Sequence, residues 1–213
     1  MVFNEEVAKR VAAKLLEIEA VKLQPHKPFT WASGWQSPIY CDNRKTLSYP
    51  AIRYKICERF CDIIEDRFDS IEAIAGVATA GIPHGVLVAH ALSLPFIYVR
   101  NSSKGHGLQN RIEGEYHAGQ RVVVVEDLIS SGKSSLSAVQ ALREADLQVE
   151  GLMAIFSYGF QQAIDNFAEA ECVYYTLSDY SHLVEQAIQA NYIKTKDVTL
   201  LNNWRKSPET WPH

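Results

Sequence analysis

The stretch RVVVVEDLISSGKSS, Arg121 to Ser135, decides how the chain folds. Four consecutive valines, Val122 to Val125, cannot form a two-faced surface. They predict a strand buried on both sides, as at the centre of a parallel sheet. The run stops at two adjacent acids, Glu126 and Asp127, and a short polar turn, Ser130-Ser131-Gly132-Lys133-Ser134, follows. Leu136, Val139 and Leu142 then recur at helical spacing. Open α/β sheets bind ligands where strands end and helices begin. Free N–H groups at a helix start, flanked by serine hydroxyls, suit a phosphate. Gly132-Lys133-Ser134 also looks like the end of a nucleotide-binding P-loop. That motif needs glycine where this chain has Asp127, and an acidic pair at its head would repel a triphosphate. The bland alternative is an acidic strand end followed by a serine-rich helix cap.

Outward from this stretch the chain alternates strands and helices. Helical stripes are predicted over 6–20, through Val7, Val11, Leu15 and Ile18, and from Pro50 to Phe68. Short strands are expected at Ile71 to Gly76, Pro95 to Arg100, Val149 to Tyr158 and Cys172 to Leu177. Helices are expected at His84 to Ala91, Phe160 to Ala170 and His182 to Ala190. This reads as an α/β fold with a parallel-sheet core flanked by helices. Phe29 to Arg44 mixes Trp31, Trp35 and Tyr40 with Asp42 and Arg44, and two short strands around Ser33-Gly34 are expected there. It reads as a pocket for a flat polar ring or as a small capping hairpin. Residues 100–114 carry glycines, three basic residues and His106 without apolar periodicity. Long polar loops of this kind are functional or disordered. The polar tail from Asn202 to His213 reads as surface-packed, with no chemistry.

The chain has 213 residues, 47% hydrophobic and 22% charged, ordinary values for a globular protein. Its length fits one sizeable α/β domain with a small appendage. A net charge of −4 argues against a general nucleic-acid binder. No stretch approaches the roughly 18 apolar residues of a membrane span. The N-terminal residues lack a signal peptide's apolar core, so a cytoplasmic protein is expected. The four cysteines form no CxxC pair, and the seven histidines show no HxH or HExxH spacing. No structural metal site is inferred from them.

The Arg121 to Ser135 pattern resembles the 5-phosphoribosyl-1-pyrophosphate (PRPP) signature of the type I phosphoribosyltransferases. Phe29-Thr30, Ser33-Gly34, Ser37-Pro38-Ile39-Tyr40 and Asp42-Asn43-Arg44 resemble the N-terminal hood of the orotate-using branch. Arg100, Lys104, His106 and Gly107 match that branch's catalytic loop. The resemblance spans nearly the whole chain. It implies residues 1–49 as N-terminal helix and hood, and 50–213 as a PRPP-binding core with a mobile loop at 100–114, together one functional unit. It further implies that Glu126 and Asp127 face the ribose hydroxyls, and that Leu128, Ile129, Ser130, Ser131, Gly132, Lys133 and Ser134 wrap the 5-phosphate. Arg100, Lys104 and His106 would meet the pyrophosphate, with Lys104, His106 and Asp127 catalytic. Ser130, Tyr40, Cys41 and Arg44 would meet orotate, although Arg44 could instead pair with Asp42. Mg²⁺ is the implied cofactor, held mainly through substrate oxygens and not by direct protein ligands. The implied partners are PRPP and orotate, with a homodimer sharing its active sites. Enteric-type members carry lysine at the positions of Ala32, Ala80 and Asn101, and an arginine near Gly159. The readings kept alongside are a PRPP-sensing regulator of the same fold and a purine phosphoribosyltransferase.

Overall fold

The computed structural model describes residues 1–31, 34–100 and 111–211. Six strands form the central sheet: β5 (Ala73–Val77), β6 (Phe96–Val99), β7 (Ile112–Glu113), β8 (Arg121–Ile129), β9 (Gln148–Ser157) and β10 (Tyr174–Asp179). Their spatial order is β10-β9-β8-β5-β6-β7. All neighbours are parallel except β7, which runs antiparallel to β6. The valine run lies near the middle of this order with every side chain fully buried. Each such valine contributes about 1.5–3 kcal/mol relative to an exposed one, which is why the run dictates the centre.

Alternation along β8 divides the core. Val123 and Val125 face a layer built from α1 (Glu5–Glu17), α2 (Pro50–Arg67), α3 (Gly81–Leu92), α6 (Tyr180–Gln189) and α7 (Val198–Lys206). Val122 and Val124 face α4 (Lys133–Glu144) and α5 (Gln161–Glu169). The expected α/β class and helix-flanked parallel sheet are therefore what the chain forms. Between α1 and α2 lie β1 (Val21–Leu23), β2 (Phe29–Thr30), β3 (Gln36–Ser37) and β4 (Ile39–Cys41), followed by a 3₁₀ turn, Asn43–Ser48. β1 pairs antiparallel with β4, and β2 with β3. The hairpin expected around Ser33-Gly34 is thus β2–β3.

Three findings differ from the sequence reading. First, β8 does not stop at the acids. It stays paired with β9 through Ile129↔Ser157, while its pairing with β5 ends at Gly76↔Val125. Second, the expected 100–114 loop is shorter at its C-terminal end, because Ile112–Glu113 pairs with Tyr98–Val99. Arg100 N–H donates to the Arg111 carbonyl at 2.8 Å, closing the neck of that connection. Residues 101–110, with Lys104 and His106, lie outside the described residues. Third, the tail is not merely surface-packed. Trp204 of α7 is fully buried, with its ring centroid 5.7 Å from that of Trp31 and 5.8 Å from that of Tyr158.

Candidate active site

The site is built where β5, β6 and β8 end. Side chains alternate across a strand, so the adjacent acids point to opposite faces of the sheet. Glu126 continues the Val122 and Val124 face and accepts from Ser135 Oγ of α4 at 3.3 Å. Asp127 lies on the hood side, near enough to Cys41, Arg44 and Tyr158 to act on each electrostatically. Regular alternation ends there, since Leu128 packs with the Val123 layer and Ile129 with the Val122 layer. Glu126 Oε1 also accepts the Asp127 N–H at 3.0 Å. Neither acid forms an ion pair among the described residues. Burial, reinforced by the neighbouring Asp127 charge, pushes the Glu126 carboxyl well above its ordinary value. Burial raises Asp127 as well, partly offset by its hydrogen bond with Glu126. Two like charges set into the sheet edge without a cation against them are costly to ionise together. The pair therefore binds protons more tightly than free carboxyls do, and a positive partner would loosen that hold.

Beside the acids, Gly132 takes a left-handed backbone (φ +78°) that turns the chain into α4. No side chain caps α4, so its first N–H groups are open to an anion. Ser130 and Ser131 are half-buried there, while Lys133 and Ser134 are exposed. The Ser131 carbonyl is tied back by Asn166 Nδ2 of α5 at 2.8 Å. Leu128 is half-buried and Ile129 fully buried in the core, so Ile129 offers only its main chain to a ligand. The start of α3, also without a side-chain cap, lies against β8. A Cβ on Gly81 would stand 2.3 Å from the Val125 carbonyl oxygen, so only glycine allows this approach. Two open helix starts thus flank the acids, as a ligand with two separate phosphate groups would need. Arg100, at the end of β6, faces Glu113 at 3.4 Å.

The hood covers the Asp127 side. Trp31 lies 5.2 Å from the Tyr158 ring at the end of β9, and its Nε1–H donates to the Ile39 carbonyl at 3.0 Å. Tyr40 is largely exposed, tilted against Phe29 at 5.7 Å. Cys41 is half-buried, and burial pushes its thiol up, so it is a thiol and not a thiolate. Arg44 is exposed and engages Asp42 through Nε at 2.6 Å and Nη2 at 3.0 Å. The structure therefore brings together Glu126, Asp127, Ser130 to Ser134, Tyr40 and Cys41, and places Arg44 at the rim in its pair with Asp42. Reading the sequence missed Tyr158, Asn166 and Asn43. The Asn43 signal was present, since it lies inside the hood motif, but nothing marked it as buried.

Among the described residues no cluster of three or more His, Cys, Asp or Glu side chains is arranged to hold a metal ion. The two acids can serve only as part of a coordination sphere completed by ligand oxygens and water. Among the described residues no helix is long and apolar enough to cross a membrane. A groove of about 790 Å³ between α1 and α2 is lined by none of the candidate residues. Its floor is mainly apolar, and the charged side chains that line it, Arg10, Lys14, Glu17, Lys55 and Arg59, belong to α1 and α2 and not to the strand ends.

Comparison with known proteins agrees with this geometry. The family described as "Phosphoribosyl transferase domain" matches residues 45–159. The orotate phosphoribosyltransferase of Porphyromonas gingivalis is 53% identical over 205 residues, covering 96% of this chain and 98% of its own. That of Cytophaga hutchinsonii is 53% identical, covering 95% and 97%. Among solved structures, the orotate phosphoribosyltransferase of Aeropyrum pernix superposes with a TM-score of 0.74 at 26% identity, covering 86% of this chain and 99% of that one. The chain belongs to the orotate phosphoribosyltransferase family.

Proposed function

We propose that the protein transfers the 5-phosphoribosyl group of PRPP to N1 of orotate, releasing orotidine 5-monophosphate and pyrophosphate, a step of pyrimidine biosynthesis. The observation that carries the reading is the acid pair: Glu126 and Asp127, partly or fully buried without a cation, between two uncapped helix starts and under an aromatic hood. A diol satisfies carboxylate oxygens by donating to them. A carbon that turns cationic as its leaving group departs is stabilised by the same charges. Ser130 to Ser134 and the start of α4 hold the 5-phosphate, so binding energy remote from the reaction fixes the reacting carbon. Arg100, with Lys104 and His106 from the connection beyond it, neutralises the departing pyrophosphate. Those last two roles rest on the motif alone. Trp31 and Tyr158 wall the base side, and Tyr40, Cys41 and Arg44 stand at its rim. Mg²⁺, held through substrate oxygens beside the two acids, supplies further charge neutralisation. In this reading two subunits share their sites.

One preparation tests this. The protein is given PRPP, Mg²⁺ and, separately, orotate, uracil, adenine and guanine, and pyrophosphate release is followed. Orotate alone should support turnover. Turnover with a purine would replace the reading with that of a purine enzyme. PRPP binding without turnover on any base would make it a sensor. Light scattering on the same sample should give a dimer, and a fully active monomer would remove the shared sites.

A further inference from the structure

Asn43 has none of the roles given above, yet it is fully buried at the start of the 3₁₀ turn that follows the hood. Its Nδ2 donates to the main-chain carbonyl of Asp127 at 2.7 Å, bridging 84 residues of sequence. Its Oδ1 accepts from the Cys41 thiol at 3.4 Å. Its own carbonyl accepts from Thr46 Oγ at 2.6 Å, and that hydroxyl meets His84 Nε2 of α3 at 3.4 Å. Burial, and then the nearby Arg53 charge, hold His84 down to about 4, so it sits there as a neutral ring.

The ladder explains why this amide is needed. The Arg121 carbonyl accepts from Glu72 N–H, on the β5 side of β8. Strand alternation puts the carbonyls of Val123 and Val125 on that same side. The alternation breaks at the acids, since the Ile129 carbonyl accepts from Tyr158 N–H on the β9 side. β5 stops pairing at Val125, which would leave the Asp127 carbonyl a half-buried acceptor with no strand beside it. Such groups are costly unless a partner is found. Asn43 is that partner, and it comes from the hood. One side chain thus joins the element that covers the base to the residue whose carboxylate faces the ribose.

We propose that Asn43 is a positioning residue for the transfer: it fixes Asp127 against the hood, so that base and ribose are held in one frame. The inference rests on the orotate-transfer reading. It separates two parts of the site. The 5-phosphate loop is tied to α5 through Asn166 and Ser131, independently of Asn43. Losing Asn43 should therefore damage the chemical step and spare phosphate binding.

The test replaces Asn43→Leu, which keeps the volume and removes the donor, with Asn43→Ser as a second variant that folds more readily. Both are checked for folding by thermal melting, and kcat is normalised to folded protein. Kd for ribose 5-phosphate is measured by calorimetry. We expect kcat to fall about 10- to 100-fold, the cost of a displacement of order 1 Å at a reacting centre. The ribose 5-phosphate Kd should stay within about threefold, because that loop has its own anchor. A kcat within threefold of wild type would overturn the proposal. So would a ribose 5-phosphate Kd that weakens in step with kcat, since that is the mark of general loosening. A wild-type protein that transfers no orotate would overturn the reading beneath it, and unaffected Asn43 variants of an active wild type would overturn only the role of Asn43.

Discussion

Two regions of the molecule hold carboxylates in close quarters and treat them in opposite ways. At the far edge of the sheet, His182 of α6 sits between Asp179, 2.8 Å from Nδ1, and Glu5 of α1, 2.7 Å from Nε2. A neutral imidazole has one N–H, so meeting two carboxylates favours the charged ring. Burial works against that charge, but the bonds to Glu5 and Asp179 outweigh it and hold the ring above its ordinary value. Both acids are matched within the protein. At the end of β8, Glu126 accepts only from the Asp127 main-chain N–H and the Ser135 hydroxyl, and neither acid forms an ion pair among the described residues. The first arrangement is complete as it stands. The second is complete only when something positive or donor-rich is bound. Matched charge therefore marks scaffold here, and unmatched buried charge marks the site.

The sharpest way to break this contrast is to remove one unmatched charge. Asp127→Asn keeps the shape and takes away a carboxylate beside the reacting carbon. Loss of kcat on the order of 10²-fold is expected, the scale of one electrostatic stabiliser. Thermal stability should hold or rise, because a buried like-charge repulsion has been relieved. Near wild-type turnover would make Asp127 a mere strand end.

A smaller effect is expected at the matched edge. The pKa of His182 is raised in the folded state, so its contribution is fully present below the unfolded value of about 6.5 and is lost as pH rises through the folded value. His182→Ala should lower Tm by roughly 2–4 °C near pH 6, as expected from a loss of about 1 kcal/mol. The gap from wild type should narrow as pH rises, and kcat should change less than twofold. A gap that widened with pH would mean that the ring is held neutral.

The contrast also shows what the sequence could and could not reveal. The valine run was legible because four buried β-branched residues in succession leave few other solutions. The helices were legible from apolar spacing, as at Ile56, Phe60, Ile63 and Ile64 of α2. The acid pair was visible as chemistry, but its placement on opposite faces of a continuing strand was not. That depended on β9 outrunning β5, a property of neighbours distant in sequence. β7 was missed because a two-residue strand carries no pattern. Trp204 was missed because its tail is polar around it, and only Leu201, three positions earlier, hinted at a buried stripe. Asn43 looked like one more polar residue in a turn. Its partner is a single main-chain carbonyl, which no side-chain pattern can announce. Lys104 and His106 belong to a segment outside the described residues, so their roles stand on the motif.

If the acids are left unmatched in order to receive substrate, binding must change their protonation. Calorimetry of PRPP with Mg²⁺, near pH 6 and in buffers of different ionisation enthalpy, counts the protons released on binding. The ligand's own phosphates contribute equally to wild type and Glu126→Gln, so the difference between the two isolates the pair. Wild type should release more protons than Glu126→Gln, because positive charge bound beside the pair reverses the upward push that burial gives it. Equal release from both proteins would mean that the pair does not meet the ligand, and would contradict the account.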